Sequence, residues 1–313
     1  MRILISGMAG FIGAHAARRA IDDGHTPIGI DNFWTGSRAN LAWLGTDVEL
    51  HEHDVREPWP DIRADAVLHL ACPASPPHYQ RDPVFTWETC ILGTREALKT
   101  AARLDVPLVI ASTSEVYGDP EISPQDESYW GRVNPIGIRS CYDEGKRAAE
   151  TLATDMRRLH GVDARIVRIF NTYGPRMAFD DGRVVSNFLV QALRDEPLTI
   201  YGDGSQTRSF CYVDDLVDGL FRMLQHEGPL SGPVNLGNPD ERSIRELTAV
   251  VGEVLGRAVR TEQRPLPADD PLQRRPDIRR AEALLGWAPR VGLADGIRKT
   301  AAAFAERLAA GAP

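Results

Sequence analysis

The sequence predicts an α/β fold, a doubly wound parallel sheet with a smaller, loop-rich C-terminal lobe. Three observations predict it. The chain opens on strand, glycine-rich loop and helix. Its first half then alternates short apolar runs with helical patterns, and after Asn171 loops containing Gly and Pro interrupt short elements. Strands alternating with helices imply βαβ units, and right-handed crossovers wind them onto both faces of one sheet.

The elements follow in order. Ile3-Leu4-Ile5 reads as a strand, Phe11 to Ile21 as a helix, Pro27 to Ile30 as a second strand and Val48 to Leu50 as a short third one. Ala66 to Leu70 and Leu108 to Ala111 read as buried strands, separated by the helical stretch Val84 to Leu104. A long helix is expected from about Tyr142 to His160, then a strand from Ala164 to Ile169. Loops are expected at Tyr173 to Gly182, Tyr201 to Gln206 and Pro265 to Pro276, and an amphipathic helix at Leu293 to Leu308.

Bulk properties narrow the class. A chain of 313 residues suits one large domain with an appendage, and 42% hydrophobic against 26% charged residues can fill a core. No run approaches the roughly eighteen apolar residues that cross a bilayer, so no membrane partner is expected. The early apolar run is broken by Gly7, Gly10 and Gly13, which argues against a secretory signal and for the cytoplasm. A net charge of −8, spread along the chain, argues against nucleic acid as a partner. Cys72, Cys90, Cys141 and Cys211 lie far apart in sequence with no CxxC pair, so no metal is expected and packed thiols in a reducing compartment are.

Chemistry enters at Gly7-Met8-Ala9-Gly10-Phe11-Ile12-Gly13, which follows a strand and opens a helix. Gly7 permits the tight turn, Gly10 lets backbone approach a pyrophosphate, and Gly13 lets the helix pack on the strand. The first helical turn, with Phe11 and Ile12, then offers N–H groups to phosphate. Glycine spacing alone equally describes a plain turn. Asp31, ending the second strand, adds a carboxylate suited to both ribose hydroxyls and hostile to a 2′-phosphate, so NAD is expected rather than NADP. Asn32 follows it, and Asp54 is a candidate for the adenine amine. Residues 1–171 are thus expected to form an NAD-binding, Rossmann-like domain, with segments from about 207–238 returning to it. Residues 172–313 are expected to supply mainly a substrate lobe.

Tyr142 and Lys146 stand four apart at a helix start, hence on one face. An ammonium there would favour phenolate, allowing Tyr142 to take a proton from a substrate hydroxyl. Such spacing alone is as readily structural; downstream of a dinucleotide loop it gains meaning.

The whole chain resembles the extended short-chain dehydrogenases/reductases, and more narrowly the UDP-glucuronate decarboxylases, or UDP-xylose synthases. The resemblance rests on Asp31-Asn32-Phe33, the Pro73 to Tyr79 segment (Pro-Ala-Ser-Pro-Pro-His-Tyr), Ser112 to Gly118, Asn134-Pro135-Ile136-Gly137 and Tyr142 to Lys146. It continues through Arg168 to Thr172, Asp181 to Phe188, Tyr201 to Arg208, Asp269-Asp270-Pro271 and Arg274 to Asp277.

The resemblance implies oxidation of the sugar at C4, loss of CO₂ from the 4-keto acid, and reduction back at C4. It implies Tyr142 as base, Lys146 as its partner and Thr113 near O4. Glu115 would organise the sugar or a water, and Arg274 would guide protonation at C5. Tyr79, Ser114 and Asn171 match substrate positions, Arg183 lies in a loop over the substrate, Tyr201 is placed to stack on uracil and Arg208 to pair with the diphosphate. A homodimer is implied through the Tyr142 helix and the Val84 to Leu104 helix. The stripe Ala148, Ala149, Leu152 and Ala153 fits that interface, and equally a monomer core.

Three other readings compete. A 4,6-dehydratase carries Asp immediately before the glutamate, where this chain has Ser114, which lacks an acidic proton. A UDP-glucuronate 4-epimerase uses the same Tyr/Lys pair without the need for Glu115 or Arg274. An NAD-binding regulator would not need Tyr142 and Lys146 at all.

Overall fold

The structure is a computed structural model that describes residues 1–228, 230–266 and 273–311. Asp269-Asp270-Pro271, quoted above, lies outside the described residues.

Seven parallel strands form the central sheet: β1 (Arg2–Ser6), β2 (Thr26–Asp31), β3 (Glu49–Glu52), β4 (Ala66–His69), β5 (Leu108–Thr113), β6 (Ala164–Ile169) and β7 (Val234–Leu236). Their order is β7-β6-β5-β4-β1-β2-β3. Parallel strands need both faces covered, and the side chains show it. Ile3 and Ile5 point into one core with Leu68, Val109 and Val167, while Leu4 points into the other with Val67, Ile110 and Ile166. This two-residue alternation divides continuous apolar runs between two cores.

Helices lie where the periodicity placed them: Phe11–Asp22, Ser140–His160 and Leu293–Ala309. The long helix Ser140–His160 carries Asp143 in its first turn and Arg157, Arg158 and His160 in its last, matching the helix dipole. It stops at Gly161, whose φ of +68° suits a left-handed cap. The expected helix Val84 to Leu104 is three pieces, Pro83–Glu88, a widened π-helical turn Thr89–Gly93, and Thr94–Leu104. The third strand starts one residue later and ends two residues later than the expected Val48 to Leu50.

The C-terminal lobe is more helical than its Gly and Pro content suggested. Val184–Leu193 and Ile244–Leu255 are helices, the latter closed by a Ser243/Glu246 capping box. A small sheet joins Glu241–Ser243, Thr207–Ser209 and Gln273–Arg274, placing Arg274 in register with Arg208. Helix Val213–Gln225 and β7 return the chain to the central sheet.

Strand order reverses between β1 and β4, which is where an open parallel sheet leaves a crevice at its carboxyl edge. The Gly7 loop, Asp31, Cys72, Thr113 and Asn171 all fall at or beyond that edge.

Candidate active site

Two of the loop's three glycines leave no room for a side chain. Gly7 has φ +77°, and a Cβ there would lie 2.9 Å from the Ala71 backbone. A Cβ at Gly13 would lie 2.0 Å from the Gly7 carbonyl oxygen. The helix therefore sits directly on the loop, and the N–H groups of its first turn, including Phe11, Ile12 and Gly13, have no acceptor within the helix. Asp31 is buried, accepting hydrogen bonds from Ala9 N–H at 2.9 Å and Phe33 N–H at 2.8 Å. Burial pushes its carboxyl above the usual range despite those donors.

Gly7, Gly10, Asp31, Asn32, Val55 and Cys72 line one cleft. A cradle without Cβ atoms, a helix N-terminus and a buried carboxylate at the next strand end together fit a dinucleotide. Asn32 uses its Oδ1 to accept from Trp34 N–H. Asp54 pairs with Arg56 at 2.8 Å, and its neighbour Val55 lines the cleft.

Thr113 ends β5 and Tyr142 lies in the first turn of the long helix, close enough for the Thr113 hydroxyl to favour its phenolate. Lys146 donates to the Ala111 carbonyl at 2.7 Å and lies 5.9 Å from the Tyr142 ring centre. The expected lowering of the phenol is not what these residues produce alone. Burial pushes Tyr142 well above its ordinary value, and thiolate charge at Cys72 adds to that. Tyr79 lies parallel to Tyr142, with ring centres 5.2 Å apart. It is itself only 1% exposed, so it is the back wall of Tyr142.

Glu115 follows in the turn Ser114–Tyr117 and is gripped from two sides. Arg139 donates to it at 2.7 Å, and Arg274 donates from the opposite lobe. Although burial opposes ionisation, the two guanidiniums hold Glu115 down at about 2. Arg139 was not anticipated; the available signal was its position one turn before Tyr142 and Asp143. Asp143 was missed too. Burial and the neighbouring Glu115 charge push it up to about 8, and its Oδ1 has no hydrogen-bond partner.

The remaining expected residues are more dispersed. Ser114 is buried beside Thr113. Arg183 pairs with Asp181 at 2.5 Å and is close enough to feel the Tyr142 and Glu115 charges. Arg208 is buried on the small sheet, donating to its own Thr207 carbonyl. Tyr201 is at a strand end, 37% exposed, and Asn171 follows β6, half-buried. Among the described residues there is no cluster of three or more metal-ligating side chains. The cysteines are packed free thiols, and three that are distant in sequence come together: Cys72 and Cys90 meet at 3.3 Å between sulfurs, and Cys141 packs in the same cluster.

Residues 3–237 match the model of the NAD dependent epimerase/dehydratase family. Over 300 residues the chain is 53% identical to UDP-glucuronic acid decarboxylase 3 of Arabidopsis thaliana, covering 95% of this chain and 87% of that one. The chain belongs to the UDP-glucuronic acid decarboxylase family. Similarity to UDP-glucuronic acid decarboxylase 1 of Danio rerio is 50% over 309 residues, 98% of this chain and 73% of the relative. Among solved structures, UDP-glucuronic acid 4-epimerase from Bacillus cereus, in complex with UDP-glucuronic acid and NAD, superposes with a TM-score of 0.86 at 27% identity, covering 98% of this chain and all of that one. UDP-glucose 4-epimerase from Thermotoga maritima superposes with a TM-score of 0.90 at 27% identity, covering 98% and 100%. Decarboxylases of this family are NAD-dependent carboxy-lyases, and NAD is the cofactor that the glycine cradle and Asp31 fit.

Proposed function

We propose that this chain decarboxylates UDP-glucuronic acid to UDP-xylose, with CO₂ as the second product. The observation that carries the reading is the double grip on Glu115. Departure of CO₂ requires negative charge to move from the substrate carboxylate towards O4. A guanidinium fixed on that carboxylate would stabilise the ground state and oppose departure. Here Arg139 and Arg274 both spend their charge on Glu115, while the Thr113 and Tyr142 hydroxyls stand together as donors for O4.

The residues then divide the work. The first helical turn from Phe11 to Gly13 would hold the pyrophosphate, Asp31 the adenosine ribose and Lys146 the second ribose. NAD, when bound, would supply the hydride acceptor and donor for C4 and, oxidised, a positive charge that favours phenolate at Tyr142. Tyr142 accepts the O4 proton. The 4-ketone so formed lies β to the carboxylate, and Thr113 with protonated Tyr142 stabilises the enolate on O4 as CO₂ leaves. Glu115, kept ionised, holds a water or sugar hydroxyl near C5, with Arg274 setting its position. Ser114 and Asn171 bound the sugar, with Tyr79 fixing Tyr142 from behind; Arg183 closes over the sugar, Arg208 meets the diphosphate and Tyr201 stacks on uracil.

On this reading residues 1–171, with the returning segment near 207–238, handle the cofactor, and residues 172–313 mainly the nucleotide sugar. The four unpaired cysteines support work in the reducing cytoplasm. No helix among the described residues is long and apolar enough to cross a membrane. The homodimer is supported by Val84 (68% exposed) and Trp87 (45%) on the helix flanking Tyr142. The stripe offered earlier supports it less, since Leu152 and Ala153 pack within the monomer.

The test is incubation with UDP-glucuronic acid, followed by mass spectrometry. Loss of CO₂ supports the reading. A new isomer of unchanged mass makes the protein an epimerase, and unchanged substrate makes it a binding protein.

A further inference from the structure

We propose that Cys72 and Cys90 are a reversible oxidation site, closed to a disulfide by hydrogen peroxide, that switches the decarboxylase off from beneath Tyr142. The effect on turnover rests on the function proposed above; the chemistry of the pair does not.

The two thiols are 18 residues apart in sequence, yet their sulfurs are in contact at 3.3 Å. They differ in access. Cys72 is half-buried and lines the cofactor cleft with Gly7 and Asp31. Cys90 is 1% exposed, inside the π-helical turn Thr89–Gly93. They differ in reactivity as well. The Cys90 thiol and the Lys146 ammonium both favour thiolate at Cys72, holding it below the usual thiol range in spite of burial, whereas Cys90 is pushed up. Low thiolate cost together with access marks the sulfur that peroxide attacks, and a neighbouring protonated thiol is suited to resolve it. Cys141 is in the same cluster, but its thiol is turned to the Tyr79 carbonyl at 3.7 Å.

The steps balance. The Cys72 thiolate attacks the peroxide O–O bond, giving a sulfenic acid and, with one proton, water. The Cys90 sulfur then displaces the sulfenic hydroxyl, which leaves as a second water after taking the Cys90 proton. Two thiols and one peroxide become one disulfide and two waters, the sulfurs giving up two electrons.

Closure has a direct path to the catalytic helix. A Cβ at Gly145 would lie 3.0 Å from Cys90 Cβ and 3.1 Å from its sulfur, so the Tyr142–Lys146 turn rests on Cys90. Drawing the sulfurs from 3.3 Å to a bond of about 2.05 Å shifts this packing by on the order of 1 Å. Misplacing catalytic groups by about that much costs on the order of 10²-fold in rate.

The experiment treats purified holoenzyme with hydrogen peroxide, caps remaining thiols and maps peptides by mass spectrometry, with turnover followed in parallel. The proposal expects a peptide linking Cys72 to Cys90 and a fall in turnover on the order of 10²-fold, restored by dithiothreitol. Cys90→Ser is expected to retain turnover before treatment, and to lose both the linked peptide and the dithiothreitol-reversible inhibition. Separate capped thiols at Cys72 and Cys90 after peroxide, or a link through Cys141, would overturn the site. A linked enzyme with undiminished turnover would overturn the switch. Wild-type peptide mapping stands even if Cys90→Ser does not fold or the enzyme acts on another sugar nucleotide.

Discussion

Arg274 donates to the carboxylate of Glu115 across 159 residues of chain, tying the C-terminal lobe to the turn that follows β5. Arg139, at the start of the Tyr142 helix, completes the grip from within the cofactor half. One carboxylate thereby fixes three elements around the place where C5 of the sugar is proposed to sit.

Arg274→Ala should cut CO₂ release by about 10²-fold, because it frees Glu115 from one side and misplacing such a group by about 1 Å costs on the order of 10²-fold in rate. NAD content, read by absorbance of the purified protein, should not change. Near-normal decarboxylation would remove Arg274 from the mechanism.

Glu115→Gln tests the same grip through stability. Glu115 has a folded value of about 2, below that of an unfolded carboxyl near 4.3. Its contribution is therefore fully present above the unfolded value and lost as pH falls through about 2. The melting-temperature gap between wild type and variant should be largest and level above about pH 5 and shrink as pH approaches 2. A gap independent of acid would contradict an ionised Glu115.

Asp143 has the opposite sign. Its folded value of about 8 lies above the ordinary one of 3.8, so its stabilisation is complete at low pH and is lost as pH rises through about 8. Asp143→Asn should match wild type near pH 4 and gain in relative melting temperature up to about pH 8, then level off. No gain with pH would mean that Asp143 is ionised in the folded protein.

Tyr142→Phe removes the proposed proton acceptor while keeping the ring that stacks on Tyr79. Turnover should drop by about 10²–10⁴-fold, the usual worth of a positioned acid–base group. NAD binding, titrated by fluorescence, should persist. Retained turnover would transfer the role to another group.

Much of this was legible in the sequence because it is local. A strand, three glycines and a helix specify the dinucleotide loop within Met1 to Asp22, and two-residue alternation places Leu4 opposite Ile3 and Ile5. The long helix shows itself through periodicity, and its dipole-matched ends fix its span. What was not legible depends on contacts between distant segments. Nothing near Arg139 announces that Glu115, 24 residues earlier, will face it. The Cys72–Cys90 contact requires β4 and the π-helical turn to be placed by the sheet first. Spacing reports Lys146 but not the burial that raises Tyr142 when the protein's own residues act alone. Helices Val184–Leu193 and Ile244–Leu255 are short segments between Gly- and Pro-containing loops, held by burial of Phe188, Leu189, Leu247 and Val251 in a core that distant segments build.

The most direct test follows both carbon and hydrogen through one turnover of UDP-glucuronic acid carrying deuterium at C4, with the product examined by mass spectrometry and NMR. The account predicts release of CO₂ and a UDP-pentose with deuterium again at C4. A product that keeps its carboxylate, with only the configuration at C4 changed, would contradict it.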